Sequence, residues 1–225
     1  MVIFVEYIWI DAFGSLRSKT KIMEKDIDHV NDLPWWNFDG SSTGQAKGWN
    51  SDVLLKPISI FIDPFRKGPN KLVLCETYIS KDEPHITNTR HNCIKNANLT
   101  SKYEPIFGIE QEYILFDRYG IPFGWKCHND PGIGGQGPYY CSIGGDRSFG
   151  REPVEEHMNK CIYAGIKICG INGEAMPSQW EYQIGTLDAV SVSDHLWMAR
   201  YIMDRLSEKY NCHVSLHPKP YKGDW

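Results

Sequence analysis

The sequence predicts an α+β fold, in which a small β-rich domain precedes a domain of mixed strands and helices. Short runs of β-branched and aromatic residues occur through the first 80 positions, as strands prefer. Two later segments carry apolar residues at helical spacing, and strand-like runs lie between them. A polar stretch over residues 80–101 separates the two patterns. We therefore place a domain boundary near residue 82, which divides the chain into domains 1–82 and 83–225.

The first domain is predicted from three strand-like runs. Residues 2–10 suit the surface of a sheet, and Gly14 then breaks the run. Residues 59–62 and 71–76 predict two further strands, joined by a connection rich in proline, glycine and asparagine.

The second domain is predicted to contain helices and strands in turn. A helix over residues 152–165 follows from Val154, Met158, Cys161 and Ile162, which share one helical face. A helix over residues 194–210 has Ser193 as its expected N-cap. The other predicted elements are a short helix over 89–97, strands over 105–117, 166–174 and 179–184, and a glycine-rich loop over 120–150.

Composition excludes several classes of protein. The 225 residues carry a formal net charge of −4, and the basic residues are scattered, which argues against nucleic-acid and membrane-surface partners. No apolar run approaches the roughly 20 residues that span a bilayer. The seven cysteines form no Cys-x-x-Cys pair and no zinc-like grouping with the eight histidines, so we expect reduced thiols in a cytoplasmic protein.

Four glutamates are the candidate functional residues. Glu110 and Glu112 lie two positions apart in a predicted strand, so both side chains leave the same face. Glu174 and Glu181 flank a predicted turn that places them nearly opposite each other, although Pro177 favours a connection longer than two residues. Four carboxylates without a His/Cys cluster suit Mg²⁺ or Mn²⁺. The same spacing also fits strands with one solvated face, so spacing alone leaves both interpretations open.

Two longer motifs carry a family resemblance. Gly-Ile-Glu-Gln-Glu-Tyr at 108–113 and Asn-Gly-Glu-Ala-Met-Pro-Ser-Gln-Trp-Glu at 172–181 resemble the metal-ligand signatures of eukaryotic-type glutamine synthetases. Further segments resemble that family in order, at 6–11, 36–44, 63–66, 136–141 and 218–220. The resemblance runs from about Glu6 to Trp225. It implies an N-terminal β-grasp domain followed by an incomplete α+β catalytic domain.

The resemblance also implies roles for the glutamates. Glu110, Glu112, Glu174 and Glu181 would hold two or three Mg²⁺ or Mn²⁺ ions, with Glu110 and Glu181 also serving catalysis. The implied ATP site is lined by Glu110, Glu181, Tyr182, Gln183, Ile184 and Gly185. The implied reaction forms γ-glutamyl phosphate from L-glutamate and ATP, and ammonia then displaces the phosphate to give glutamine.

A second implied site lies in the first domain. Asp39 would bind and deprotonate ammonium, with Ser42 close by, because a carboxylate attracts the cation and accepts its proton. In related enzymes this loop serves the neighbouring subunit, so the resemblance implies a homo-oligomer, a decamer in relatives, with active sites between subunits. From the residues alone, the Asp-Gly-Ser-Ser segment is a plain turn.

The family continues beyond the point matched by Trp225, into a segment with a metal-binding histidine, substrate-binding arginines and a flap. We therefore expect the 225-residue polypeptide alone to be inactive or nearly so. One alternative is a non-catalytic glutamine synthetase-like subunit or structural relative. Another is a γ-glutamyl ligase for a different amine, which the Asp39 loop disfavours.

Overall fold

The computed structural model describes residues 2–125 and 138–222. The chain forms two compact units, one extending to Ile106 and including Asp188–Asp194, the other comprising Phe107–Leu187 and the chain from His195. No helix in these ranges is long and apolar enough to cross a bilayer. The cysteines of the described ranges are free thiols, as expected, whereas Cys127 and part of the predicted 120–150 loop lie outside those ranges.

The first unit is built on one sheet with strand order β2-β1-β5-β4-β3, and β6 pairs with β5. Its elements are β1 (Ile3–Ile10), β2 (Leu16–Met23), β3 (Trp36–Asp39), β4 (Asp52–Ile62), β5 (Lys71–Ser80), β6 (Glu83–Pro84) and helix α1 (Thr89–Thr100). The central strands β1 and β5 run parallel, and the other pairs are antiparallel.

Alternation along β1 builds the core of this unit. Ile3, Val5, Tyr7 and Trp9 all point to one face and pack with residues of the neighbouring strands, including Val73. The predicted strands at 2–10, 59–62 and 71–76 are confirmed as β1 and as parts of β4 and β5. The predicted short helix is confirmed as α1.

The second unit holds an antiparallel sheet of order β10-β7-β9-β8. Its elements are β7 (Phe107–Asp117), α2 (Arg151–Ala164), β8 (Ile168–Gly173), β9 (Gln179–Leu187), α3 (Ala189–Tyr210), whose first turns belong to the first unit, and β10 (Cys212–Ser215). The predicted helices and the three predicted strands are confirmed, but Ile162 is 58% exposed rather than part of the apolar face of α2.

The start of α3 corrects the sequence prediction. The helix begins at Ala189, five residues before the predicted start at 194. The carboxylate of Asp188 accepts hydrogen bonds from the backbone N–H groups of Val190 and Ser191, both at 3.0 Å, and so caps the helix. Ser193 therefore lies inside the helix, where its hydroxyl donates to the carbonyl of Ala189.

Candidate functional site

The strand register of the second unit brings the predicted glutamates onto one face. Glu112 lies directly opposite Glu181, and Glu110 lies opposite Gln183. On the other side of β9, Asn172 pairs with Glu181. Cross-strand partners in an antiparallel sheet project to the same side. We call this surface the carboxylate face; its members are Glu110, Glu112, Glu174 and Glu181, with the amides Asn172, Gln179 and Gln183.

The opposite face of the sheet is the packed core of the unit. Tyr113 and Tyr182 are each 1% exposed, and their ring centroids lie 5.7 Å apart. Helix α2 covers them through His157, whose ring lies 4.9 Å from that of Tyr182. This packing holds β7 and β9 in place and leaves the other face free to carry charge.

The turn between β8 and β9 sets the position of Glu174. The N–H of Glu174 donates to the carbonyl of Gln179 at 2.8 Å, and the N–H of Gln179 donates to Met176 at 3.0 Å. The connection between Glu174 and Gln179 therefore holds four residues, the longer turn that Pro177 predicts. As a correction, Glu174 faces Gln179, and Glu181 faces Asn172 instead. Glu174 and Glu181 are diagonal neighbours on the carboxylate face.

Side-chain amides contact three of the four carboxylates. Gln179 Nε2 donates to Glu112 at 2.8 Å, and Asn172 Nδ2 donates to Glu174 at 2.9 Å. Gln183 Nε2 donates both to Glu181 and to the Asn172 oxygen. From the sequence, Gln183 was named only as part of the implied ATP site, and Asn172 and Gln179 were missed, although residues 179, 181 and 183 alternate on one strand and so share its face. Neutral amides orient the carboxylates but carry no positive charge that would offset theirs.

The carboxylates repel one another. The pKa of Glu174 is raised, first by burial and then by the negative charges of Glu112 and Glu181, against the opposing hydrogen bond from Asn172. Glu181 is itself 8% exposed. In residues 2–125 and 138–222, no three or more His, Cys, Asp or Glu side chains are arranged as a ready metal-binding cluster. The donor chemistry, three neighbouring carboxylates in mutual repulsion, nevertheless fits a hard divalent cation.

The candidate ATP-site segment divides between the two faces. Glu181 and Gln183 belong to the carboxylate face, whereas Tyr182 and Ile184 are each 1% exposed on the core side. The side chains of Tyr182 and Ile184 are therefore turned away from any ligand on the carboxylate face. Gly185, at φ +112°, allows close backbone approach, because a Cβ there would lie 2.7 Å from the carbonyl oxygen of Phe107.

The segment after residue 137 lies beside the carboxylate face. The N–H of Cys141 donates to the carbonyl of Gly173 at 2.9 Å. The pKa of Tyr140 is raised, mainly by the neighbouring Cys141 thiol and further by Glu174 and Glu181. Tyr140 and Cys141 end the 136–141 motif of the family resemblance, whose first two residues lie outside the described ranges.

Asp39 and Ser42 belong to a tight turn of the first unit. Asp39 ends β3, and its carboxylate accepts hydrogen bonds from the Ser41 hydroxyl at 2.6 Å and the Ser41 N–H at 2.9 Å. These two bonds lower the pKa of Asp39. Asp39 and Ser42 are both exposed. The arrangement presents an ionised carboxylate to solvent, which suits the binding of a small cation.

Two protein-family models match this chain and establish its family. The family model for the glutamine synthetase β-grasp domain matches residues 1–80, and the model for the glutamine synthetase catalytic domain matches residues 89–225. The chain belongs to the glutamine synthetase family. The family assignment confirms the predicted resemblance and the β-grasp plus α+β organisation.

Curated relatives named glutamine synthetase match almost the whole chain. The Emericella nidulans protein is 50% identical over 99% of this chain and 62% of its own length, and the Suillus bovinus protein is 52% identical over 98% and 62%. The human glutamine synthetase is 50% identical over 97% of this chain and 58% of its own length. The chain thus spans about three-fifths of the length of these glutamine synthetases.

A solved structure shares the fold. The chain titled "GmaS/ADP complex-Conformation 1" matches with a TM-score of 0.68 and 17% identity, over 97% of this chain and 49% of that one. At this identity the match supports the glutamine synthetase fold and nothing finer.

Proposed function

We propose that this protein acts in the ATP-dependent ligation of ammonia to L-glutamate. Membership of the glutamine synthetase family supports the reaction class. The observation that carries the proposal is the carboxylate face, where the pKa of Glu174 is raised by burial and by its neighbours Glu112 and Glu181. Such a site is completed by cations, and ATP chemistry is commonly performed on Mg²⁺ or Mn²⁺.

Each glutamate of the carboxylate face has a role in the proposal. Glu112, Glu174 and Glu181 would hold a divalent ion, and Glu110, exposed at the same face, would serve both the ion and the nucleotide phosphates. The ions supply neutralisation of phosphate charge when bound. The amides of Asn172, Gln179 and Gln183 hold the carboxylates in orientation, as outer hydrogen bonds do around ligating groups. Beyond Glu110 and Glu181, the proposed ATP contacts are the Gln183 side chain and the backbone near Tyr182, Ile184 and Gly185.

The proposed chemistry proceeds in two steps. An oxygen of the glutamate γ-carboxylate attacks the γ-phosphorus of ATP, so that ADP leaves and γ-glutamyl phosphate forms. Asp39 accepts a proton from ammonium, and the resulting ammonia attacks the acyl carbon and expels phosphate. The hydrogen bonds from Ser41 keep Asp39 ionised, which favours ammonium binding, and Ser42 lies next to them.

The assembly and location complete the proposal. We place the protein in the cytoplasm as a homo-oligomer, with the Asp39 loop of one subunit serving the site of the next. We divide it into domains 1–82 and 83–225.

ADP release tests the proposal directly. On the 225-residue chain and on any longer form of the protein, ADP release should require Mg²⁺ or Mn²⁺, glutamate and ammonium together. In an active form, Glu181→Gln should lower turnover by about a hundredfold or more, whereas the control Glu155→Gln, an exposed change on α2, should leave it unchanged. Release that is independent of glutamate and ammonium, or absent from every form, would contradict the proposal. Intact Mn²⁺ binding without turnover in any form would favour a non-catalytic relative.

A further inference from the structure

A closed ring of hydrogen bonds among Gln45, Thr87 and His85 supports the Asp39 loop. Gln45, which follows the short helical turn Gly40–Thr43, is 6% exposed, and its Nε2 donates to the Thr87 hydroxyl at 2.9 Å. The Thr87 hydroxyl contacts Nδ1 of His85 at 2.8 Å, and Nε2 of His85 contacts the carbonyl of Gln45 at 2.6 Å. Residues some 40 positions apart in sequence thus close a ring inside the first unit.

The partners of His85 fix its protonation. The carbonyl oxygen of Gln45 can only accept, so Nε2 of His85 must carry the hydrogen. The backbone N–H of Thr87, at 3.1 Å from Nδ1, can only donate, so Nδ1 must be bare. His85 is 8% exposed, which leaves little room for water to replace either partner. The neutral Nε2–H tautomer is therefore the form that completes the ring.

The ring acts on the loop through Gln45. The N–H of Gln45 donates to the carbonyl of Gly40 at 2.8 Å, and the N–H of Gly40 donates to Ser51 at 2.7 Å. The Gln45 side-chain oxygen accepts from the Thr43 hydroxyl at 2.9 Å. Gly40 follows Asp39 directly, so the hydrogen bonds of Gln45 fix the backbone that carries Asp39 and Ser42.

We propose that His85 is a positioning residue, which holds the Asp39 loop in its ammonium-binding geometry through the ring with Gln45 and Thr87. The inference rests on the proposed role of Asp39. His85 itself contacts no substrate; it acts by ordering Gln45, whose backbone and side chain order residues 39–43. Loss of the ring should loosen this loop without unfolding the sheet beneath it.

Two substitutions with matched controls test the positioning role. In His85→Ala and Thr87→Val, hydrogen exchange at the Gln45 and Ala46 amides should speed up by about tenfold, the effect of one lost hydrogen bond. Exchange in β1 should not change. The controls are His29→Ala, an exposed histidine of the same unit, and Thr87→Ser, which restores the hydroxyl; both should match the parent protein.

NMR distinguishes a positioning role from a general contribution to stability, because it reports the His85 tautomer and the pKa of Asp39. The His85 ring should show the neutral Nε2–H tautomer in the parent protein. The pKa of Asp39, held low by Ser41, should rise in His85→Ala and Thr87→Val and return in Thr87→Ser. A different tautomer, an unchanged Asp39, or a loss of protection spread equally over β1 would overturn the inference.

Ammonium kinetics separate this inference from the proposed function. In any active form, Thr87→Val should raise KM for ammonium by about five- to tenfold and change kcat by less than about twofold. Loop loosening with unchanged ammonium KM would overturn the link to ammonium, even where the ligase reaction itself is confirmed. If no form is active, the proposed function fails, and the exchange and NMR results still decide whether His85 positions the loop.

Discussion

Acid should weaken the second unit through a single buried histidine. His157 is fully buried, and its Nε2 donates to the carbonyl of Ala199 at 2.9 Å, with the Cys161 sulfur 3.2 Å away. Its Nδ1 has no hydrogen-bond partner among the described residues. Burial lowers the pKa of His157 from 6.5 to about 4. The folded unit therefore holds a neutral imidazole that resists protonation.

The size of the effect follows from linkage. The unfolded chain takes up the proton near the ordinary pKa of 6.5, whereas the folded chain does so only near 4. The stability associated with the neutral His157 is therefore fully present above about pH 6.5 and is lost as the pH falls toward 4. Between pH 7 and pH 5 the stability of the second unit should fall by about 2 kcal/mol from this group alone.

Opening free energies at the two pH values test the effect. Hydrogen exchange, corrected for its intrinsic pH dependence and read on peptides of α2 and β9, gives the stability of the second unit. His157→Asn should lower stability at pH 7 but remove the histidine component of the pH slope. His213→Asn, a change at an exposed histidine stacked on Phe116, should keep that component. An identical pH slope in His157→Asn and the parent protein would refute the reasoning.

Two further changes test the local structure. Asp188→Ala removes the two capping hydrogen bonds of α3 and should lower the free energy of unfolding by about 1 kcal/mol. Urea denaturation measures this, and Ser207→Ala, a change at a half-buried position near the end of the same helix, is the control. An unchanged midpoint in Asp188→Ala would contradict the assignment of Asp188 as the cap. Gly40→Ala should destabilise the first unit by about 1–3 kcal/mol, because the new Cβ would lie 2.5 Å from Val53 Cγ2. Hydrogen exchange in β4 measures this loss, and Gly48→Ala, where the Cβ would meet open space, is the control. Equal effects of the two changes would contradict the packing argument.

Strands rich in β-branched and aromatic residues could be predicted from sequence. This composition predicts β1, and the 105–117 run predicts β7 for the same reason. β2 was missed, since Leu16–Met23 is polar and charged through most of its length. Its position at the sheet edge needs few apolar side chains, so its pairing with β1 leaves little trace in composition.

Part of the candidate site was also visible. The two-residue spacing of Glu110 and Glu112 predicts a shared face, and the register confirms it. The partner of Glu112 could not be predicted, because the register between β7 and β9 depends on tertiary contacts rather than on either strand alone. The length of the turn before Gln179 could not be predicted either, and its four residues place Glu174 opposite Gln179.

The ring behind the Asp39 loop left no sequence signal. Gln45, His85 and Thr87 are polar residues in segments without periodicity, and some 40 positions separate the first from the others. Their burial and hydrogen bonds exist only once β3, β5 and the loop are assembled. Polar groups of this kind become recognisable when each donor and acceptor is matched in space.

Manganese binding followed by NMR tests the central claim, that Glu112, Glu174 and Glu181 together take up a divalent cation. Substoichiometric Mn²⁺ should broaden the amide signals of β7, β9 and the turn at 174–178 before those of β1. In Glu174→Gln, the Mn²⁺ concentration needed for the same broadening should rise by about tenfold or more. Glu155→Gln should leave that concentration unchanged. Broadening spread evenly over surface carboxylates, or unaffected by Glu174→Gln, would contradict the account.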